Sequence, residues 1–303
     1  MQLYKINELV KIFDLHQLYK KIRKMRIYKA VTKEYKVLLN NGENLIYPYL
    51  REKNGDKEIC CISPYHGRSF LVGRNNGRYI ISKGNGLSYT QYSFVNTQEI
   101  GNDSWGLLLE QDAVRDFHLN LEISALGIKT NRMEYVLELE SEVSVTEELT
   151  LHPILLQYSV ECPYRICDAA YMSQKQINNE ISKWDTLNQK EYAEHYMIAA
   201  DCLIRNLRIL HNNGILHNAI HTQNYTWALE LLDFELACSP LHPYNSEDDM
   251  RHIKNLFPRE IMQTYEVINS IAWCLKEEID FGKVDKLFKE YGFDIEGYKL
   301  RFR

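Results

Sequence analysis

The chain of 303 residues has no run of 18 or more apolar residues, so it offers no candidate membrane-spanning helix. Met1-Gln2-Leu3-Tyr4-Lys5 does not open a basic and then apolar leader. There is no Cys-x2-Cys pair. The seven cysteines (Cys60, Cys61, Cys162, Cys167, Cys202, Cys238, Cys274) are odd in number, and they support neither a disulfide framework nor a zinc site. A net charge of −5 gives no global reason to expect nucleic acid or an anionic membrane as the main partner. Internal repeats and low-complexity segments are also missing. Together these absences predict a reduced, cytoplasmic protein with no membrane attachment. With 45% hydrophobic and 25% charged residues, the chain can build an ample core, as one large domain or as two lobes.

What is present centres on residues 205–239. An apolar helix is expected to end near Asn212, with Gly214 turning the chain. His217 opens a polar loop that runs to Asn224, and a short hydrophobic strand, Leu229 to Leu232, delivers Asp233. A side-chain amide and a carboxylate on such loops suit Mg²⁺ bridging the phosphates of ATP, because this ion takes few protein oxygens and completes its shell with phosphate and water. Protein kinases use a catalytic-loop Asn and the Asp of Asp-Phe-Gly in this way. Here the pattern reads His217-Asn218-Ala219-x4-Asn224, then Asp233-Phe234-Glu235. The position of the usual catalytic Asp is Ala219, whose methyl group accepts no proton.

Taken in order, residues 1–40 read as helical, with Leu3, Ile6, Leu9, Val10 and Phe13 at helical spacing. Eight basic residues lie among aromatics between Tyr19 and Lys36, either a solvated helix face or, near residues 20–36, a docking surface for an acidic partner or RNA phosphates. Strands are expected over Lys57–Ser63, Arg68–Gly73 and Arg78–Lys83, with Arg74-Asn75-Asn76-Gly77 as a hairpin turn. Gly67, in Pro64-Tyr65-His66-Gly67-Arg68, lies over nucleotide phosphates or in an ordinary turn. Lys83 ends its strand where a kinase fold places the ammonium that contacts phosphates, or it is simply exposed. A helix from Trp105 to Leu126 carries Val114, Phe117, Leu121 and Ala125 as its apolar stripe, and Gly127 stops it. Asp116 is placed to reach Lys83, with Glu110 as the competing acid. Strands follow over Met133–Leu139 and Glu148–Val160, around a glutamate-rich turn. From Ser173 to Asn212, and after a Pro- and Ser-containing loop (238–246) up to Tyr291, the pattern is helical.

The expected fold is therefore α+β, a bilobal protein-kinase-like arrangement with a strand-rich N-lobe and a helical C-lobe. Its divisions are an N-terminal helical extension (1–55), an N-lobe (56–140) and a C-lobe (141–303).

Four blocks in sequence order resemble the selenoprotein O family, a kinase-fold group that transfers AMP to protein hydroxyls. Lys83-Gly84-Asn85-Gly86 looks like the family's Lys-Gly-x-Gly. Arg115-Asp116-Phe117 is similar to Arg-Glu-Phe. Ala125-Leu126-Gly127-Ile128-x-Thr130-x-Arg132 matches Ala-Leu-Gly-Ile-x-Thr-x-Arg. His217 to Asp233 aligns without a gap on His-Gly-x-x-Asn-Thr-Asp-Asn…Asp-Tyr-Gly, with Thr222, Asn224 and Asp233 in place. The resemblance covers roughly residues 65–240. It implies that Arg165 handles phosphates near the hinge, while the partner arginine of the family falls on Tyr158. The proposed family base, the Asp before the metal-binding Asn, is Gln223 here, and the chain is shorter than typical members.

The resemblance and the residues together imply ATP with Mg²⁺, or Mn²⁺ in its place, as cofactors. Asn224 and Asp233 would ligate the metal, Lys83, Gly67, Gly84, Gly86 and Arg165 would contact the nucleotide, and Asp116 would position Lys83. His221 or Gln223 would stand nearest the missing base, whereas His217 reads as a packed loop histidine. Three activities remain open: transfer of AMP or phosphate to a protein, peptide or small-molecule hydroxyl; a pseudokinase scaffold; or, from His217-x3-His221-x2-Asn224, an aminoglycoside-phosphotransferase-like small-molecule kinase.

Overall fold

A computed structural model of the chain describes residues 26–27, 35–42, 57–58, 69–85, 108–140, 143–144, 150–243 and 253–295. The strands are β1 (Arg26–Ile27), β2 (Tyr35–Asn40), β3 (Lys57–Glu58), β4 (Ser69–Asn75), β5 (Arg78–Lys83), β6 (Arg132–Leu139), β7 (Val143–Ser144), β8 (Thr150–Leu151) and β9 (Ile154–Val160). The helices are α1 (Glu110–Ala125), α2 (Gln174–Ile181), α3 (His195–Asn212), α4 (Ile253–Leu275) and α5 (Phe281–Glu290), with short 3₁₀ turns over Ile166–Tyr171, Ser182–Leu187 and Thr222–Asn224. The chain separates into two compact units, Met1–Glu110 with Glu134–Tyr158, and Gln111–Met133 with Ser159–Arg303. The first holds most of the strands and the second most of the helices.

In the first unit a five-stranded sheet has the order β2-β6-β9-β5-β4. Its β4–β5 hairpin closes at Asn75 opposite Arg78. Asn76 (φ 47°) and Gly77 (φ 80°) both take the left-handed conformation, as a two-residue primed turn requires. The inner strand β9, Ile-Leu-Leu-Gln-Tyr-Ser-Val, is buried along its whole length, which explains its nearly unbroken apolar run. On β5, Ile80 to Lys83 are all buried. Strand β2 lies at the edge and pairs antiparallel with β6. The expectation of helix through residue 40 is therefore overturned at Tyr35–Asn40. Tyr35-Lys36-Val37-Leu38-Leu39-Asn40 supplies β-branched and aromatic residues to a half-covered edge, and pairing with β6 overrides a weak helical pattern. The rest of the basic stretch lies outside the described residues, apart from Arg26–Ile27, which pairs with β3 rather than forming a helix.

In the second unit α3 is the central element. Twelve of its residues, Tyr196 to Leu210, are buried, so it is apolar nearly all round, as a helix surrounded by other elements must be. Trp184, Trp227, Phe234, Val267, Ile268, Ile271 and Phe288 belong to the same core. The described helix α1 begins at Glu110 and ends against Gly127 (φ 83°), whose N–H donates to the Ser124 carbonyl. Its buried face differs from the expected stripe. Phe117 is buried, but so are Ala113, Asp116, Leu119, Asn120 and Ile123, while Leu121 and Ala125 are exposed. Two polar side chains turn inward because each has a partner there: Asn120 donates to both oxygens of Asn131, and Asp116 accepts a backbone N–H.

Candidate functional site

The segment from His217 to Asp233 lies wholly in the helix-rich unit. Gly214 (φ 68°) turns the chain out of α3. His217, fully buried, then fixes the loop from both ring nitrogens. Nδ1 accepts the N–H of Ala219 (3.3 Å), and Nε2 donates to the carbonyl of Leu232 (3.0 Å). That pairing holds a neutral imidazole, and burial pushes its pKa below the ordinary value. His217 therefore packs and ties the loop.

The expected strand Leu229–Leu232 is not a continuous strand. The chain instead makes a tight hairpin. Thr226 N–H bonds the Glu230 carbonyl (3.0 Å), Leu229 N–H bonds Thr226 (2.9 Å), and Leu232 N–H bonds Asn224 (2.9 Å). Leu229 sits at φ 57°, which a regular strand cannot accommodate, and only isolated bridges from Leu231 to Thr130 and Tyr225 remain. The hairpin is braced by the buried carboxylate of Glu230, which accepts the N–H of Glu161 at both oxygens (3.0 Å each) and the hydroxyl of Thr226 (3.1 Å).

The hairpin thus bonds the backbone of Asn224 to that of Leu232, the residue before Asp233. Asn224 is buried, and its Nδ2 donates to the carbonyl of Ala219 (2.9 Å), which orients Oδ1 as the side chain's acceptor atom. Asp233 is half-buried and left-handed at φ 67°. Among the described residues no group of three or more His, Cys, Asp or Glu side chains converges on one point. One amide oxygen and one carboxylate are a poor cage for zinc but fit a hard cation that takes its other ligands from phosphate and water.

Around this pair, Asp116 Oδ1 accepts the N–H of Phe234 (3.1 Å), one residue past Asp233. Arg165 is buried, its N–H bonded to Asp168 Oδ2 (2.6 Å), and it bridges to Thr226 in the hairpin. His221 caps the 3₁₀ turn, its Nδ1 accepting the N–H of Gln223 (3.2 Å). Lost hydration lowers the His221 pKa first of all, the neighbouring His217 and Arg165 push it the same way, and Asp233 opposes them. Gln223 is half-buried. In the strand-rich unit, Lys83 is buried at the end of β5. Gly84, next to it, has φ 94°, and a Cβ there would collide with the Ile154 carbonyl, so the backbone itself requires glycine. Glu110 is exposed at the start of α1. Gly67 and Gly86 lie outside the described residues. The five described cysteines are free thiols whose pKa values burial raises, so none is an activated nucleophile.

Two residues to which the sequence reading gave no role brace the loop and the segment after it. Glu260, buried on α4, accepts the N–H of Asn218 at Oε1 (2.6 Å) and meets His211 Nε2 at Oε2 (2.8 Å), anchoring the loop from 42 residues away. Asn218 itself is left-handed (φ 66°), a conformation asparagine tolerates, and that is the only local signal. Arg115 donates from its guanidinium to three carbonyls of the segment after Asp233.

No protein-family model matches the chain, and neither does any curated protein. Among solved structures, a Stt7 homologue from Micromonas algae, soaked with ATP, is 12% identical over 82% of this chain and 84% of its own, with a TM-score of 0.40. The Toxoplasma gondii rhoptry antigen kinase domain is 9% identical over 74% of each chain, with a TM-score of 0.35. These likenesses are remote. In sequence order the described elements are a hairpin ending in Lys83, then α1, β6 and β9, then a helical unit bearing the 217–233 loop, an α+β arrangement with a strand-rich and a helix-rich unit, as expected.

Proposed function

We propose that the chain binds Mg²⁺-ATP through Asn224 and Asp233 and acts as a kinase-like transferase, moving AMP or phosphate to a hydroxyl of a protein, peptide or small molecule. The observation that supports this most is the hairpin bond from the Leu232 N–H to the Asn224 carbonyl, which ties the backbone of Asn224 to the residue before Asp233. When bound, the cation would neutralise phosphate charge, and Mn²⁺ would suit the same two oxygens. Asn224 is held for that task by the Ala219 carbonyl, and Asp233 by the turn in which Phe234 bonds Asp116. Buried Arg165 places positive charge near enough to His221 to help lower its pKa. Lys83 is assigned to the nucleotide phosphates. AMP as the transferred group follows from the resemblance to the selenoprotein O family, and phosphate from the general kinase pattern.

Transfer of this kind rests on positioning and charge neutralisation more than on covalent chemistry. No proton acceptor is offered by the loop itself. Ala219 and Gln223 carry none, and His217 and His221 each use Nδ1 to accept a backbone N–H, so their protons sit on Nε2. That specific observation favours a second reading, a pseudokinase that binds nucleotide and acts through a partner surface. ATP labelled at the α- or the γ-phosphate separates the readings when purified protein is incubated with lysate. Transfer of α-label that requires Asn224 and Asp233 means nucleotidylation, and transfer of γ-label means phosphorylation. Mg²⁺-ATP binding with no transfer of either label means the scaffold.

A further inference from the structure

Arg115, His118 and Glu122 recur at helical spacing along α1 and form one polar stripe on its surface. All three side chains meet the segment that follows Asp233. Arg115 Nη1 donates to the carbonyls of Ala237 (3.4 Å) and His242 (3.1 Å), and Nη2 to that of Pro243 (3.0 Å). The His118 ring stacks on His242, centroids 5.6 Å apart and planes 9° from parallel. Glu122 Oε2 accepts the hydroxyl of Ser239 (2.7 Å), and Ser239 Oγ in turn accepts the N–H groups of Leu241 and His242 (3.2 and 3.1 Å). Asp116, beside Arg115, takes the N–H of Phe234 at the other end of the segment. Residues 234–243 are thus fastened to one helix at both ends and in the middle.

We propose that Arg115 is a positioning residue for Asp233: by gripping the carbonyls of residues 237, 242 and 243 it holds the segment folded against α1, and so keeps the carboxylate in its left-handed turn. This rests on the metal-binding role assigned to Asp233. A planar guanidinium with five donors in a fixed fork can serve three carbonyls together, and a lysine ammonium cannot match that geometry.

The test is Arg115→Met in the full chain, read by amide hydrogen exchange without nucleotide and by ADP affinity with and without Mg²⁺. Peptides covering 237–243 are expected to exchange at least about tenfold faster, since several hydrogen bonds are lost together, with exchange across α3 unchanged. The gain in ADP affinity on adding Mg²⁺ shrinks by a similar factor, while affinity in EDTA stays the same. Arg115→Lys falls between the two proteins, and it replaces the methionine variant if that one does not fold. Unchanged exchange over 237–243 overturns the grip. Faster exchange with an undiminished Mg²⁺ effect overturns the positioning role. Wild-type protein without any Mg²⁺ effect on ADP affinity overturns the metal assignment itself, a result distinct from either.

Discussion

The side-chain amide of Asn224 is held by the backbone carbonyl of Ala219, 2.9 Å away, so the residue that lacks a catalytic carboxylate still orients the amide proposed to bind the metal. Orientation and proton transfer, which one loop usually combines, are separated in this chain. The backbone half survives substitution of the side chain, because a carbonyl belongs to every residue type.

That separation predicts a gain of function. Ala219→Asp restores a carboxylate without disturbing the carbonyl that Asn224 uses. Hydroxyl-directed transfer from labelled ATP is expected to rise by about 10²–10⁴-fold, the usual worth of a general base. Ala219→Asn, of similar size and no basicity, should give no rise. An Ala219→Asp protein that binds Mg²⁺-ATP but transfers no faster would mean that a missing base is not what limits this site.

Glu260 should matter to stability as well as to the loop. Glu260→Ala leaves the buried His211 and the N–H of Asn218 without the carboxylate they share. Chemical denaturation should show a loss of about 1–3 kcal/mol for each group left unsatisfied. Glu260→Gln, which keeps one acceptor oxygen, should lose less. Equal stability of the alanine variant and the wild type would show that the carboxylate is not an anchor.

Buried His217 sets a pH dependence. Its pKa is lowered in the folded protein, so above the unfolded value near 6.5 both states are neutral and nothing is gained or lost. As the pH falls below that value, the unfolded chain takes up a proton that the folded one refuses, and stability declines by about 1.4 kcal/mol per pH unit until the lowered folded pKa is reached. His118 and His221 shift in the same direction, each chiefly through lost hydration. Denaturation by urea from pH 7.5 to 5.5 should therefore show falling stability, and His217→Gln, though less stable at pH 7.5, should fall less steeply. A steeper fall in the variant would contradict the buried neutral ring.

Much of the fold was legible where one residue type has one structural use. Asn76-Gly77 specifies a primed turn, Gly127 ends α1, and the apolar run of β9 reads as a covered strand. In the loop, His217 reads as a packed histidine, and its two ring nitrogens do bond the backbone of Ala219 and Leu232. Local pattern failed where a distant partner decides. Asp116 and Asn120 face inward because Phe234 and Asn131 receive them, which rotates the buried face of α1 away from Leu121 and Ala125. Tyr35–Asn40 is a strand because β6 offers an edge. Glu260 has no signal near Asn218 at all, since 42 residues separate them.

The central claim is that Asn224 and Asp233 together hold a cation that carries a nucleotide. Titration of Mn²⁺, followed by its electron paramagnetic resonance signal, in the presence and absence of a non-hydrolysable ATP analogue tests it directly. The account predicts Mn²⁺ binding that depends on the analogue, is displaced by Mg²⁺, and is lost in Asp233→Ala together with nucleotide-induced thermal stabilisation, while the melting of the unliganded protein changes little. Analogue-dependent binding of Mn²⁺ that persists unchanged in Asp233→Ala would contradict it.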